Sequence, residues 1–171
     1  MVVVGLGCSG KSRGPREEFS LEIADAGVVL RQVPQGVRVE RGADDRVTLV
    51  PRRGVGRITI SMSEPVAGVV DPLGPARAVQ EEIAGLPEGR FFGSQELRTP
   101  LGRAFTARGR FLLGAEMVEQ VRVVAAHPWG DRFLTASFTY PAGDDTAARV
   151  QMLLEVFGEI EGFPLPVRSD P

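Results

Sequence analysis

The densest chemistry in the chain stands at its start, in MVVVGLGCSGKS. Gly5, Gly10, Lys11 and Ser12 fit the spacing G-x-x-x-x-G-K-S/T, and the valines at 2–4 supply a short apolar strand before it. In such a loop backbone N–H groups cradle phosphate oxygens, the lysine reaches the β/γ oxygens and the hydroxyl holds magnesium. That chemistry also needs a helix directly after the lysine, because a helix N-terminus completes the anion site. Here Gly14 and Pro15 fall in the first turns, and Phe19, Leu21 and Ile23 then alternate with the period of a strand.

The same opening resembles the start of Ras-like small GTPases. Those proteins read guanine with an N/T-K-x-D loop, and no lysine follows Lys11. The D-P-L-G at 71–74 imitates a switch-region D-x-x-G but follows a run rich in proline and glycine. A P-loop nucleotide-binding hydrolase using Gly5, Gly10, Lys11 and Ser12 is the rival reading. The favoured one is a bacterial lipoprotein signal. It has an apolar run, a small Gly7, then Cys8, whose thiol would take the lipid, then Ser9. Gly5 stands where leucine is usual and the basic n-region is missing, so the expectation is that Met1 is internal and the signal begins upstream. Residues 1–16 then read as the end of the signal plus a flexible tether, and 17–171 as one domain. A third reading makes 2–4 an irregular strand and Cys8 a buried thiol.

Elsewhere the chemistry is sparse. Cys8 and His127 are each the only residue of their kind, so no internal disulfide and no histidine cluster for a metal can form. Carboxylate sites lack the D-x-D-x-D-G spacing, and neither a metal nor a cofactor is expected. The length of 171 residues suits one domain with a real core, and a net charge of −2 leaves no nucleic-acid footprint. No apolar stretch is long enough to span a membrane, so membrane attachment would come only through Cys8. Basic character is almost all arginine, and asparagine is absent, as GC-rich bacterial coding would produce.

His127 and Trp129 in HPWGD are a candidate contact patch, or a general base in the case of His127. The plainer reading is a hairpin turn shaped by Pro128 and Gly130, with Trp129 covering a sheet edge. Arg108, Arg110 and Arg122 fall at outward positions of strands. They suit an acidic partner, or more simply Glu96 and Glu119 across the sheet. Phe91 and Phe92 read as core.

The elements that must position these residues follow from periodicity. Alternation predicts strands at 17–24, 36–41, 46–51 and 57–62, then at about 91–98, 103–113, 117–126 and 132–140. Phe105, Ala107 and Phe111, then Val121, Val123 and Ala125, then Leu134, Ala136, Phe138 and Tyr140 read as inward sets. Val79, Ile83 and Leu86 predict a helix over 75–86. Asp144 or Asp145 caps a last helix whose stripe is Ala147, Val150, Leu153, Leu154, Phe157 and Ile160, with Arg149 on the solvent side. The tail is non-helical, docking through Phe163 and Leu165. Asp44 and Asp45 serve a turn. The expected fold class is α+β, an antiparallel meander packed by helices.

On that frame, RVVAAHPWGDRFLTASFTYPAGDDTAARVQMLLEVFGEIE resembles the closing segment of the PsbP-like fold family. That family includes an extrinsic subunit of photosystem II and small bacterial lipoproteins of the DcrB type. There a strand ending near T-Y-P leads through a short loop into the last helix. The resemblance implies an α/β/α sandwich over roughly residues 17–161 and is nearly silent on activity. It suggests a non-catalytic, exported binding or assembly accessory, lipid-anchored in a bacterial cell envelope, with an unidentified protein partner. The alternative on the same fold is a cytoplasmic chaperone-like or immunity-type binding protein.

Overall fold

The computed structural model describes residues 20–43, 46–143 and 145–162. The chain runs β1 (Leu21–Ile23), a 3-10 turn (Ala24–Ala26), β2 (Val28–Leu30), β3 (Val37–Arg41), β4 (Val47–Pro51) and β5 (Arg57–Met62). It continues through α1 (Leu73–Gly85), β6 (Arg90–Thr99), β7 (Gly102–Leu113), β8 (Glu116–Ala126) and β9 (Phe133–Pro141), then α2 (Thr146–Gly158) and β10 (Ile160–Gly162). The main sheet is antiparallel in the order β3-β4-β5-β9-β8-β7-β6, and a small sheet has the order β1-β2-β10. Two meanders are thus joined edge to edge by β5 and β9. α1 carries the chain from the middle of the sheet to its far edge, where β6 begins. The expected α+β class with helices on both faces is what forms.

α1 starts where Asp71 Oδ1 accepts the Leu73 N–H at 3.1 Å, which satisfies one of the free donors of the first turn. Pro75 costs nothing there because its missing N–H would have been free. Ala76, Val79 and Ile83 are buried, and Val79 and Ile83 pack on Ala107 of β7 and Phe91 of β6. The approach is close because β7 has a glycine under the helix. A Cβ at Gly109 would lie 2.8 Å from Ile83 Cγ2.

α2 and the small sheet cover the other face. Asp145 Oδ1 accepts from the N–H groups of Ala147 and Ala148 at 3.1 and 3.2 Å, an N-cap of the expected kind. The buried set of the helix is Arg149, Leu153, Val156 and Phe157, which differs from the expected stripe. Ala147 is exposed and Val150 and Leu154 only half-buried. Arg149 is 9 % exposed. Its guanidinium lies 5.8 Å from the Phe138 ring centroid and reaches the Arg53 carbonyl at 3.4 Å, beside Gly54. A long apolar stem with a polar end can be buried where a loop supplies carbonyls, and periodicity cannot see that loop.

The inward sets also need correction. Ala107 faces Arg122 across the β7–β8 ladder, whereas Val121 faces Arg108. The apolar set of β7 therefore looks toward α1, and the apolar sets of β8 and β9 look toward α2. Both are buried because this sheet is covered on both sides. As a result Arg108 and Arg110 do not share a face with Arg122. Two short strands, β2 and β10, were not expected. β10 begins at Ile160, which periodicity assigns to the helix. Phe163, Leu165, Asp44, Asp45 and Asp144 lie outside the described residues.

Candidate functional site

Gly5, Cys8, Gly10, Lys11 and Ser12 also lie outside the described residues. His127 closes β8, and the turn after it is tied by Gly130 N–H to the His127 carbonyl at 2.9 Å and by His127 N–H to the Arg132 carbonyl at 2.8 Å. The imidazole is 2 % exposed. Its Nδ1 accepts the Trp129 N–H at 3.2 Å, so the ring proton sits on Nε2 and is donated to the Ala26 carbonyl at 3.0 Å. Burial pushes the pKa of this ring below 6.5. The hydrogen bond to Ala26 opposes the shift and the Arg132 charge adds to it.

Trp129 is half-buried, its ring centroid 4.2 Å from that of His127. Its indole occupies the space a Cβ would need at Gly27, the residue that leaves the 3-10 turn at φ +60°. The pair thus fastens the turn of the small sheet to the end of the main one. Of the two, only Trp129 reaches the surface.

The arginines divide. Arg122 makes a two-pronged ion pair with Glu82 of α1, both contacts at 2.6 Å, and this hydrogen bonding holds the Glu82 carboxyl below its ordinary value. Glu96 is taken by Arg103 at 3.0 Å rather than by any of the three singled out. Arg108 lies 3.5 Å from Glu119, whose Oε2 also accepts from Tyr140 Oη at 3.3 Å and Thr146 Oγ1 at 3.1 Å. Burial raises the pKa of that Tyr140 phenol.

Arg110 makes no ion pair among the described residues, and neither does Arg90, which stands directly opposite it on β6. Between them and Arg108 sits Phe92. It is 40 % exposed, not core, and the guanidinium carbons of Arg108 and Arg110 lie 5.1 and 5.9 Å from its ring centroid. Phe91 goes the other way, under α1. This basic, aromatic corner was not legible in the sequence. The signal that could have marked it is the Phe-Phe-Gly at 91–93, which breaks the strand alternation. A cleft of about 340 Å³ lined by Glu22, Ile23, Ala24, Asp25, Arg41 and Val47 opens beside β1. It offers mixed charges and no nucleophile.

No protein-family model matches the chain, and no curated protein matches it. Solved structures do. LpqN of Mycobacterium tuberculosis, a protein involved in cell envelope biogenesis, superposes with a TM-score of 0.60 at 16% identity, over 85% of this chain and 90% of that one. Cyanobacterial PsbP of Synechocystis superposes with a TM-score of 0.59 at 11% identity, over 92% of this chain and 100% of that one. The Ran-binding protein Mog1p of Saccharomyces cerevisiae gives 0.57 at 14% identity, over 84% and 94%.

Proposed function

We propose that this chain, which has the PsbP-like fold, is a non-catalytic binding or assembly accessory domain. The observation that carries the reading is the employment of His127. The one imidazole in the chain is buried, neutral and bound at both nitrogens, so it serves as a fastener and is not placed to move protons for a substrate. What the surface offers instead is a rigid sheet edge with charge and an aromatic ring, the material of a contact. The likeness to LpqN, PsbP and Mog1p supports a binding role, since one of these is a Ran-binding protein and another acts in envelope biogenesis.

We place the protein in a bacterial cell envelope, tethered by lipid at Cys8. The apolar run, Gly7, Cys8 and Ser9 support this, together with a following stretch, SGKSRGPREE, that has no apolar surface to bury. Expressed in its host from the native locus with all upstream sequence, the full chain should fractionate with membranes and carry lipid mass on an N-terminal Cys8. Cys8→Ser should release it or leave it unprocessed. A protein found free in the cytosol with Met1 intact would refute the anchor. Lys11→Ala should leave any nucleotide titration unchanged. Saturable, magnesium-dependent ATP or GTP binding that disappears in that variant would restore the hydrolase reading.

A further inference from the structure

We propose that the edge of the sheet at β6 is a docking strand for an extended acidic segment of a protein partner, with Phe92 as the apolar anchor and Arg90 and Arg110 as the charge readers. The inference rests on the binding-domain reading above and gives it a surface. Among the described residues β6 pairs only with β7, so along its ten residues the outer row of backbone groups faces away from the sheet. An edge of this length is a template for an added strand.

Nature commonly blunts such an edge with charge and with a bulge, and β6 has both. The bulge here does more than blunt. Phe91 stands opposite Gly109 and Gly93 opposite Arg108, which leaves Phe92 as the extra residue. The turn is absorbed at Gly93, whose φ of +136° few other residues would accept. Alternation alone sends Phe91 into the α1 core and Phe92 onto the opposite face, and the bulge sets Gly93, which has no side chain, beside Phe92 across from Arg108, so that nothing on β6 covers the exposed ring there. Protection of an edge needs charge, not an exposed aromatic ring.

The charges around it are arranged against the stability of the free protein. Arg90 and Arg110 face each other across the ladder, which is unfavourable for like charges. The acid that the register places next in the row, Glu119, is only 12% exposed at its side chain and is already held by Arg108, Tyr140 and Thr146. Positive charge left over beside an apolar ring calls for a partner that brings carboxylates. A strand added to β6 would present side chains to this face at every second residue, about 7 Å apart. The fitting segment alternates acidic and small apolar residues. Nucleic acid or an anionic bilayer would want a broad basic field, and the chain as a whole carries −2.

The test is made on the full chain in its host, with the photocrosslinker p-benzoylphenylalanine placed at Phe92 or, on the opposite, helix-free part of the sheet, at Thr59. The expected result is an adduct from Phe92 whose partner peptide is rich in Asp and Glu. The double variant Arg90→Glu with Arg110→Glu should suppress the adduct by about tenfold at an unchanged melting temperature. In solution, a fluorescent peptide alternating aspartate and valine should bind the wild-type chain and lose affinity by a similar factor in the double variant, while Arg57→Glu leaves it intact. An adduct from Phe92 to lipid, nucleic acid or a non-acidic peptide overturns the proposal, as does indifference to the double variant. Adducts from Thr59 alone overturn it while leaving the binding role standing. Adducts from neither position sink both.

Discussion

Leu153→Asp is expected to leave the domain unfolded. Leu153 is 0% exposed in the middle of α2, among the side chains that join the helix to β8, β9 and the small sheet. The change removes roughly 3 kcal/mol of apolar burial and adds either an unpaired carboxylate or the cost of protonating it. Together that exceeds about 4 kcal/mol, a large part of the 5–15 kcal/mol that holds a typical domain. Two neighbours set the scale. Ala147→Asp, on the exposed first turn, should stay within about 0.5 kcal/mol. Arg149→Asp should cost about 2–4 kcal/mol, because it brings a carboxylate among the carbonyls of the 53–54 loop and strips the cover from Phe138. Urea unfolding followed by Trp129 fluorescence gives all three. An Arg149→Asp chain as stable as Ala147→Asp would mean that the helix is rotated from the face described.

That ordering also marks where sequence reasoning reaches its limit. The long strands from β3 to β9 and both helices were legible because alternation and helical spacing are properties of one element at a time. The relation between elements was not. The apolar set of β7 has the same period as that of β8, and only the register Arg108↔Val121 reveals that they look to opposite faces. Arginine usually faces solvent, and nothing in α2 announces the loop that receives Arg149. β2 and β10 are three residues each, too short for a period to show. They exist because each pairs with something distant in the chain, as Ile160 does with Leu30. The candidate surface failed to show for a related reason. Phe91 and Phe92 are identical in type and adjacent; alternation points them to opposite faces, and only the placement of α1 over one of those faces decides which of them is core. His127 looked like a surface residue because Pro128 and Gly130 mark a turn. Its burial comes from Ala26, a hundred residues earlier in the chain.

Mild acid should weaken the fold through that one imidazole. In the folded chain Nδ1 accepts from the Trp129 N–H, and a second ring proton there would set two donors against each other in a buried site. Folding therefore prefers the neutral ring, and the folded pKa lies below the ordinary 6.5. At pH above about 6.5 both states hold the neutral ring and the full stability is present. As pH falls from there toward the folded value, the unfolded chain binds a proton that the folded one refuses, so stability drops by up to about 1.4 kcal/mol per pH unit. Glu82 and Glu96, both held below 4.5 by their arginines, add their own loss only at lower pH. Between about pH 6.5 and 4.5 the slope therefore belongs to His127. His127→Ala should cost about 2–4 kcal/mol at neutral pH, since it leaves a cavity and orphans both the Ala26 carbonyl and the Trp129 N–H. His127→Gln is the sharper variant. Its amide N–H can reach Ala26 and its carbonyl can accept from Trp129, so the fastening survives in a form that does not titrate. Urea midpoints for wild type and His127→Gln at a series of pH values should converge as pH falls from 7 to 5, with the wild type losing ground and the variant flat. The same slope in both would mean that the histidine is free to take its proton in the folded chain, and that the junction between the two sheets is held by Trp129 against Gly27 alone.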